Sequence, residues 1–428
     1  MSLLSRKRAR YVRSILSQGP TEAGYAFFRA RRRRANLADA DNLLAGDRLV
    51  LSADFAVDAD DLQANAELVR AQLAAPPSEI DSIRWLVPGF YLVWGGGIHT
   101  ILRLADHLAR ERGVRSSFVV FDSTDPPVVA RVKEEIGRAF PRLAGSEVHA
   151  ADDRPAPADV AIATAWESVW RLVRTRDVQA KLFFIQDWEP DFYPAGSASA
   201  LLEEAGRQGI PAIVNTAALA DSYRSLGGPA VSFTPAVDSA VFHPPPSPRQ
   251  KRPIRIVFYG RPRTSRNAFG LGLDTLRRVK EAHGDGVQIL CAGEDWSPGQ
   301  YGAADVLENV GMLESIEAVA DLYRSCHIGL VFMLTRHPSY QPLEYMASGV
   351  ATVTNENEHT GWLFEHERNA LLSRPVPALV AEQVTRLVDD VALRDRVSAG
   401  GQSTVAGLSW DAGFEHVWDA MCGRARFE

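Results

Sequence analysis

Short apolar runs alternate with amphipathic stretches of helical spacing from residue 83 onward. Uninterrupted apolar runs of this kind are typical of strands that are buried on both faces, as in parallel sheets. In the first half of the chain they predict strands at 83–87, 118–121, 160–164, 182–186 and 212–215. The helix predicted at 98–112 places Ile101, Ala105 and Leu108 on one face. This half is therefore expected to form a parallel sheet covered by helices.

A proline-rich, polar segment at 234–253 interrupts the alternation and is typical of a linker. The second series that follows predicts strands at 254–259, 287–292, 328–332 and 351–354, and helices at 272–283, 316–324, 342–348 and 378–390. We therefore predict an α/β protein of two doubly wound Rossmann-like domains that face each other across a cleft. Such sheets bind ligands at the carboxyl ends of their strands. The predicted bounds are 1–45 for an N-terminal arm, then 46–237 and 238–409 for the two domains.

The composition of the 428 residues is that of a soluble globular protein. Hydrophobic residues make up 46% of the chain and charged residues 23%, which excludes a disordered or collagen-like chain. The cysteines Cys291, Cys326 and Cys422 share no CxxC spacing, so we expect reduced thiols and no zinc site. The formal net charge of -6 does not indicate nucleic-acid binding.

Positive charge is concentrated at the N-terminus. Residues 1–36 hold ten Lys or Arg side chains and one acid, Glu22, together with apolar residues at helical spacing. One interpretation is a helical arm attracted to anionic lipid, where each cation gains about 1 kcal/mol. A solvated tail, or a helix packed on the protein itself, is the alternative. Because no run of 18 apolar residues and no signal-peptide pattern is present, we expect a cytoplasmic protein, peripheral at most on the inner face of the plasma membrane.

A glycine-rich turn, Trp94-Gly95-Gly96-Gly97-Ile98-His99, joins the first predicted strand to its helix. Glycines allow backbone N–H groups to approach an anion, and the N-terminus of a helix adds partial positive charge. The motif is not GxGxxG, so a nicotinamide site has little support. A tight turn that requires positive φ is the structural alternative. His99 is predicted to contact the ligand, although a lone histidine is commonly structural.

Two further motifs follow predicted strands of the second domain. Arg261, Arg263 and Arg266 leave its first strand, and guanidinium groups there are predicted to hold a diphosphate rather than to be solvated. Residues 336–341 precede a helix that has Glu344 in its first turn. Backbone N–H groups at a helix start suit phosphate, and Glu344 could accept a hydrogen bond from a sugar hydroxyl or compensate the helix dipole.

The order of these motifs resembles the GT-B glycosyltransferases of family 4 between about residues 84 and 422. The matching residues are Pro235, Val237, Asp238, Phe242 and Pro244 in the linker, Gly260, Arg261 and Arg266 in the phosphate loop, and Leu343, Glu344, Met346, Ala347 and Gly349 in the helix motif. Arg266 replaces the Lys of the family. The tail from Leu408 to Phe414 is similar to the family's final helix, so residues 410–428 are predicted to complete the N-terminal domain.

One departure from the family concerns Arg336. It stands eight residues before Glu344, where the family has another Glu that serves the transferred sugar, so the usual hexose contact is in doubt. The segments 186–190, 266–269 and 337–344 resemble the rhamnosyltransferases of bacterial surface glycans. This nearer resemblance implies that the donor is dTDP-rhamnose.

The resemblance implies a retaining transfer of a sugar from a nucleotide diphosphate to a hydroxyl of a cell-surface glycan or lipid-linked acceptor. The N-terminal domain would serve the acceptor and the C-terminal domain the nucleotide sugar. The predicted catalytic residues are Asp187, Arg261, Arg266 and Glu344. The predicted donor-binding residues are Gly96, Gly97, His99, Arg263, Asn267, Ser339, Tyr340 and Gln341. Asp187 would orient or deprotonate the acceptor hydroxyl, or it would cap a helix before Pro190.

Neither a metal nor another cofactor is expected. The Asp-x-Asp sequences at 39–41 and 58–60 lie among other acids, which is typical of a solvated face. The expected partners are the nucleotide-sugar donor, the saccharide acceptor and an anionic membrane surface at residues 1–36, but no nucleic acid. Two other functions stay open: a catalytically idle scaffold that binds a nucleotide sugar, and a GT-B nucleotide-sugar epimerase.

Overall fold

The computed structural model describes residues 57–428. The predicted arm at 1–45, its membrane contact and the Asp-x-Asp sequence at 39–41 lie outside the described residues. Asp58 caps the first described helix, α1 (Ala59–Ala74), because its carboxylate accepts from the backbone N–H of Asp61 at 2.9 Å. In the described part of the chain, none of the helices has both the length and the apolar composition needed to cross a bilayer.

The N-terminal domain is built on a seven-stranded parallel sheet with the order β3-β2-β1-β4-β5-β6-β7. Its strands are β1 (Ser82–Val87), β2 (Arg115–Val120), β3 (Glu147–His149), β4 (Ala158–Ala163), β5 (Val178–Ile185), β6 (Ala212–Asn215) and β7 (Ala230–Phe233). Its helices after α1 are α2 (Gly96–Arg112), α3 (Pro126–Ala139), α4 (Trp166–Arg174), α5 (Ser197–Gly206) and α6 (Ala217–Arg224). The five strands predicted here are all present, and the two strands that were not predicted, β3 and β7, form the sheet edges.

The C-terminal domain has a six-stranded parallel sheet with the order β10-β9-β8-β11-β12-β13. Its strands are β8 (Ile254–Tyr259), β9 (Val287–Ala292), β10 (Glu308–Gly311), β11 (Ile328–Leu330), β12 (Ala351–Asn355) and β13 (Leu371–Ser373). Its helices are α7 (Phe269–His283), α8 (Ile316–Ser325), α9 (Gln341–Ala347), α10 (Pro377–Asp389) and α11 (Val391–Val405), and a last helix, α12 (Trp410–Met421), follows this domain in the chain. The prediction of two doubly wound α/β domains is confirmed.

Neighbouring residues of the central strands are buried on opposite faces of each sheet. In β1, Trp85 packs into one hydrophobic cluster of the N-terminal domain, and Leu86 packs into another. In β8, Val257 and Phe258 divide in the same way between two clusters of the C-terminal domain. A strand covered on both faces is apolar at most of its positions, which accounts for the short apolar runs in the sequence.

The last helix, α12, packs on the N-terminal domain although it follows the C-terminal domain in the chain. Phe414 is fully buried there, with its ring centroid 5.5 Å from that of Phe233. On the same side, the buried His107 of α2 places its two ring nitrogens 3.0 Å from Asp411 and 3.1 Å from Glu415. Both apolar and polar contacts therefore attach α12 to this domain.

Replacing Phe414 with Ala is expected to lower the free energy of unfolding by about 3–5 kcal/mol, because it leaves a cavity at a fully buried position. Urea unfolding followed by circular dichroism measures the change. Val391→Ala is the control, since Val391 at the start of α11 is 56% exposed and should change the free energy by less than about 0.5 kcal/mol. Equal effects of the two substitutions would contradict the packing of α12.

Candidate active site between the two domains

The two domains meet at the carboxyl ends of their parallel strands. In each sheet the strand order reverses beside the first strand, between β1 and β4 and between β8 and β11. Loops that leave strands on the two sides of such a reversal diverge and open a crevice, which is where these folds bind ligands. The side chains that join the two domains come from the segments that follow β1, β5, β8 and β11, and from the end of β6.

Tyr340 crosses from the C-terminal domain to the glycine-rich turn of the N-terminal domain. Its hydroxyl lies 2.7 Å from the Thr100 hydroxyl and 2.8 Å from the Asn215 amide. The same amide lies 2.9 Å from Nε2 of His337, a ring whose pKa burial lowers to about 3 and which is therefore neutral. Tyr340 therefore joins the two domains through Thr100 and Asn215, and Asn215 in turn contacts His337.

The Tyr340 ring packs directly against Gly96. A Cβ atom added at Gly96 would lie 2.3 Å from Cδ2 of Tyr340, far inside van der Waals contact. At Gly97 an added Cβ would meet the Gln186 side chain at 3.4 Å. Close packing against the opposite domain is thus one reason for glycine at position 96, besides the predicted approach of an anion.

Asp187 lies at the centre of the cleft, two residues after β5. Its Oδ2 accepts from the Thr335 hydroxyl across the cleft at 3.1 Å, and its Oδ1 accepts from the backbone N–H of Trp188 at 2.8 Å. Burial raises the pKa of Asp187 to about 6, although the bonds from Thr335 and Trp188 and the charge of Arg266 act in the opposite direction. The bond from Trp188 is local, as the predicted helix cap would be. The bond from Thr335 joins the two domains.

Two arginines of the C-terminal domain hold the segment that carries Asp187. The guanidinium of Arg266 lies 4.1 Å from the ring centroid of Phe192. The guanidinium of Arg336 lies 4.5 Å from the ring of Trp188, and its Nε is 3.5 Å from a carboxylate oxygen of Asp191. These contacts join the two arginines to segment 187–192 of the N-terminal domain. The residue that departs from the family pattern, Arg336, is therefore part of the domain contact.

The other residues of the predicted diphosphate loop differ in their surroundings. Arg261 is half-buried; its Nη1 donates to the Tyr259 hydroxyl at 3.4 Å, and its buried Nε has no hydrogen-bond partner among the described residues. Asn267 likewise has a buried side-chain oxygen without a partner in the described chain. Arg263 is exposed and pairs with Glu294 at 3.2 Å. Unpaired buried groups are costly, so those of Arg261 and Asn267 are suited to a polar ligand.

Glu344 lies in the first turn of α9, directly after the loop that carries Ser339 and Tyr340. Burial raises the pKa of Glu344 to about 7, while a hydrogen bond from the Tyr323 hydroxyl acts to lower it. The backbone N–H of Ser339 donates to His337 Nδ1 at 3.0 Å, and the Ser339 hydroxyl bonds to the Gln341 side chain. Glu344 is thus suited to act as a hydrogen-bond partner for a ligand hydroxyl, whereas the Ser339 amide is already bonded within its loop.

His99 lies in the first turn of α2, near Phe140, Arg103 and Asp238. Its ring centroid is 5.2 Å from that of Phe140, and burial, with the charge of Arg103, lowers its pKa to about 4. A neutral imidazole can donate a hydrogen bond to a sugar hydroxyl or accept one from it. It cannot pair with a phosphate as a cation.

Sequence reasoning did not find Gln186, Asn215, Glu294, Tyr323 or Thr335. Asn215 is the last residue of β6, and Gln186 and Glu294 follow β5 and β9 within two residues. The rule that ligands lie at carboxyl strand ends would have pointed to these three. Thr335 lies further along the segment after β11, and Tyr323 lies within α8, so the rule does not single them out.

The fold is the GT-B fold of two facing Rossmann-like domains. It superimposes on the sucrose-phosphate synthase of Thermosynechococcus elongatus with a TM-score of 0.60 and 14% identity, over 81% of this chain and 100% of that one. It also superimposes on Anabaena HepE, solved in complex with UDP and glucose, with a TM-score of 0.62 and 12% identity, over 81% of this chain and 100% of the other. Identities this low show the fold alone.

Sequence comparison links the chain to surface-glycan proteins. It is 39% identical over 366 residues to the O-antigen biosynthesis protein RfbC of Myxococcus xanthus, an alignment that covers 84% of this chain and 28% of that protein. The chain thus spans about a quarter of the length of this relative. Residues 254–385 match the family described as WsaF, C-terminal domain.

Gly96→Ala is expected to displace the Tyr340 ring and lower the free energy of unfolding by about 1–3 kcal/mol, a usual range for overpacking. The matched control is Gly95→Ala, where the added Cβ would meet only the Leu92 carbonyl oxygen at 3.8 Å. Thermal unfolding of the two variants compares them directly. If both unfold at the same temperature, Gly96 is not required by the Tyr340 contact.

Proposed function

We propose that this protein is a glycosyltransferase of surface-glycan synthesis, which moves rhamnose from dTDP-rhamnose to a hydroxyl of a glycan or lipid-linked acceptor. One observation carries the proposal: Arg266 of the C-terminal domain contacts segment 187–192 of the N-terminal domain at Phe192, and Asp187 of the same segment bonds to Thr335 of the C-terminal domain. The name of the Myxococcus relative and the WsaF match support the surface glycan and, with the residues quoted above, membership of glycosyltransferase family 4.

Arg261 and Arg266 would stabilise the departing diphosphate. Negative charge develops on the leaving group as the glycosidic bond breaks, and cations fixed in advance stabilise it without reorganising. Arg261 has a buried Nε without a partner among the described residues, and the guanidinium carbon of Arg266 lies 4.1 Å from the Phe192 ring centroid. Because an arginine stacked on a ring keeps its N–H edge available, Arg266 can still bind phosphate. Arg263 and Asn267 would support this site.

Asp187 and Glu344 would act on hydroxyl groups at the two sides of the cleft. With a pKa of about 6, Asp187 is mostly deprotonated at neutral pH and can accept the proton of an acceptor hydroxyl or orient it. Glu344 would accept a hydrogen bond from the sugar of the nucleotide. The backbone around Ser339, Tyr340 and Gln341, together with Gly97 and His99, would surround the transferred sugar.

We further propose that the transfer is retaining, needs no metal and takes place at the inner face of the plasma membrane. Across residues 57–428, no group of three or more His, Cys, Asp or Glu side chains is arranged to hold a metal ion. The two arginines offer the positive charge that a diphosphate needs. The membrane contact is proposed for residues 1–36, which lie outside the described part.

Replacing Arg261 or Arg266 with Ala is expected to lower kcat by about 100- to 1,000-fold, the usual cost of removing one donor that stabilises the transition state. Release of dTDP from dTDP-rhamnose, in the presence of a rhamnose oligosaccharide and EDTA, measures the effect. Arg278→Ala is the control, because Arg278 on α7 is half exposed and pairs with Asp274 of the same helix.

Three results would contradict this part of the proposal. Unchanged turnover in both arginine variants would remove their role at the diphosphate. Loss of wild-type activity in EDTA, restored by magnesium, would remove metal independence. Binding of dTDP-rhamnose by the wild type without any dTDP release would favour the idle scaffold instead.

The pH dependence of kcat/KM should show an acid limb near pH 6. Asp187 must be deprotonated to accept a proton, so activity rises as the pH passes its pKa of about 6. Asp187→Asn should abolish this limb together with most of the activity. Thr335→Val removes a hydrogen bond that favours the charged carboxylate, so the limb should move to higher pH.

The exposed Asp305 provides the control for this pH profile, since Asp305→Asn should leave the limb in place. A limb that is identical in the wild type and the Thr335→Val variant would mean that Asp187 does not set it. A limb that moves only in a Glu344→Gln variant would assign it to Glu344, whose pKa is about 7.

A further inference from the structure

Residues 293–301, between β9 and β10, lie along the predicted diphosphate loop, residues 260–268. Three side chains of this segment contact the loop or the residue directly after it: Glu294, Trp296 and Tyr301. The contacts fall at the beginning of the loop, at its middle and at its end. The segment therefore supports the loop along its length, although it contains none of the site residues that the sequence predicted.

Trp296 holds the beginning of the loop. Its Nε1–H donates to the carbonyl of Gly260 at 3.1 Å. Gly260 directly precedes Arg261 and packs against Cys291 of β9, since a Cβ atom added at Gly260 would lie 2.3 Å from the Cys291 sulfur. The backbone is thus confined between the indole and β9 at the residue before Arg261.

The ring of Phe269 holds the end of the loop. It meets Trp296 and Tyr301 edge to face, with centroid distances of 4.9 and 5.0 Å, and these two rings are 5.3 Å apart. Aromatic rings attract each other in this arrangement. Ala268, two residues after Arg266, has a φ of +50°, which residues other than glycine seldom adopt. Such a backbone persists only where its surroundings hold it, so the anchored Phe269 helps to fix the chain next to Arg266.

Glu294 holds the middle of the loop. The side chain is buried, and its carboxylate accepts from the backbone N–H of Arg263 at 3.4 Å. The same carboxylate pairs with Nε of Arg263 at 3.2 Å, but the arginine side chain is 82% exposed. Because exposed ion pairs contribute little, the contact with the backbone is the one that restrains the loop.

The segment is itself attached to the sheet. Asn309 of β10 donates from its side-chain amide to the carbonyls of Glu294 and Trp296, at 3.1 and 2.8 Å. The strand β10 in turn pairs with β9. Side chains that are held by a sheet in this way can fix the residues of a binding loop in place.

We infer that Trp296 is a positioning residue for the diphosphate loop, because it contacts the loop at both ends. Its N–H group holds Gly260, and its ring holds Phe269. Arg261 and Arg266 therefore occupy their places before the nucleotide binds, and binding does not have to order the loop. This inference rests on the proposed function, in which these two arginines bind the diphosphate of the donor.

Titration calorimetry with dTDP tests the inference by a measurement that does not depend on turnover. Trp296→Phe keeps an aromatic ring and removes the N–H group, so it should weaken dTDP binding about fivefold, the usual effect of losing one neutral hydrogen bond. Trp296→Ala should weaken binding about 50-fold, because both aromatic contacts are lost as well.

Trp85→Phe is the matched control. Trp85 is fully buried in the N-terminal domain, and its Nε1–H donates a hydrogen bond of the same length, 3.1 Å, to the Ser116 hydroxyl. This variant loses the same kind of bond away from the diphosphate loop, so its affinity for dTDP should equal that of the wild type.

A double-mutant cycle tests whether Trp296 acts through the arginine that follows Gly260. In an Arg261→Ala background, Trp296→Phe should change the affinity for dTDP by less than about twofold, because the group that it positions is absent. A fivefold effect that persists in this background would overturn the inference, since Trp296 would then act on the nucleotide by another route.

Kinetics and unfolding separate a positioning role from a structural one. In Trp296→Phe the KM for dTDP-rhamnose should rise, while the acceptor KM stays within about twofold of the wild type. A residue that only stabilises the fold would lower the unfolding temperature without changing the affinity of the folded protein for dTDP, and that result in both Trp296 variants would overturn the inference. If the wild type binds no dTDP, the proposed donor fails and the inference fails with it.

Discussion

The contact between the arginines and segment 187–192 is the interaction on which the cleft depends. Burial raises the pKa values of Asp187 and Glu344, so the cleft disfavours isolated charge. The guanidinium carbons of Arg266 and Arg336 lie 4.1 and 4.5 Å from the centroids of aromatic rings of the opposite domain. Such stacking satisfies the face of the group and leaves its N–H edge available. The same side chains can therefore join the domains and bind a polar ligand.

The two-domain architecture was predictable because buried parallel strands are apolar at most of their positions. The strands β8 and β9 were predicted with their observed bounds, Ile254–Tyr259 and Val287–Ala292. By contrast, β3 and β13 have only three residues each and were not predicted. The equally short β11 was predicted, because its apolar run continues to Phe332. The helix preceding β1 was not predicted either, since α1 has polar residues on most of its surface. Pattern length and burial, rather than position in the chain, decided which elements the sequence revealed.

Local motifs identified many residues of the site, but not which of them contact each other. The loops with Arg261, Arg266 and Glu344 were found because they follow strands or begin a helix. Their partners were not, because a contact such as that of Thr335 with Asp187 joins residues 148 positions apart. The contact between Gly96 and Tyr340 is a further example of a contact that the motifs did not reveal. A glycine in a turn indicates close approach, but only the structure shows that the Tyr340 ring is what approaches.

The arginine at position 336 is explained by its contacts with segment 187–192 of the opposite domain. A glutamate there would face Asp191, and two carboxylates at the present separation of 3.5 Å would repel each other. It would also lose the contact with the Trp188 ring that the guanidinium makes at 4.5 Å. The arginine therefore matches the N-terminal domain of this chain, and the departure from the family pattern has a structural reason. Because Arg336 helps to hold the segment that carries Asp187, the missing acid is not by itself evidence of an inactive protein.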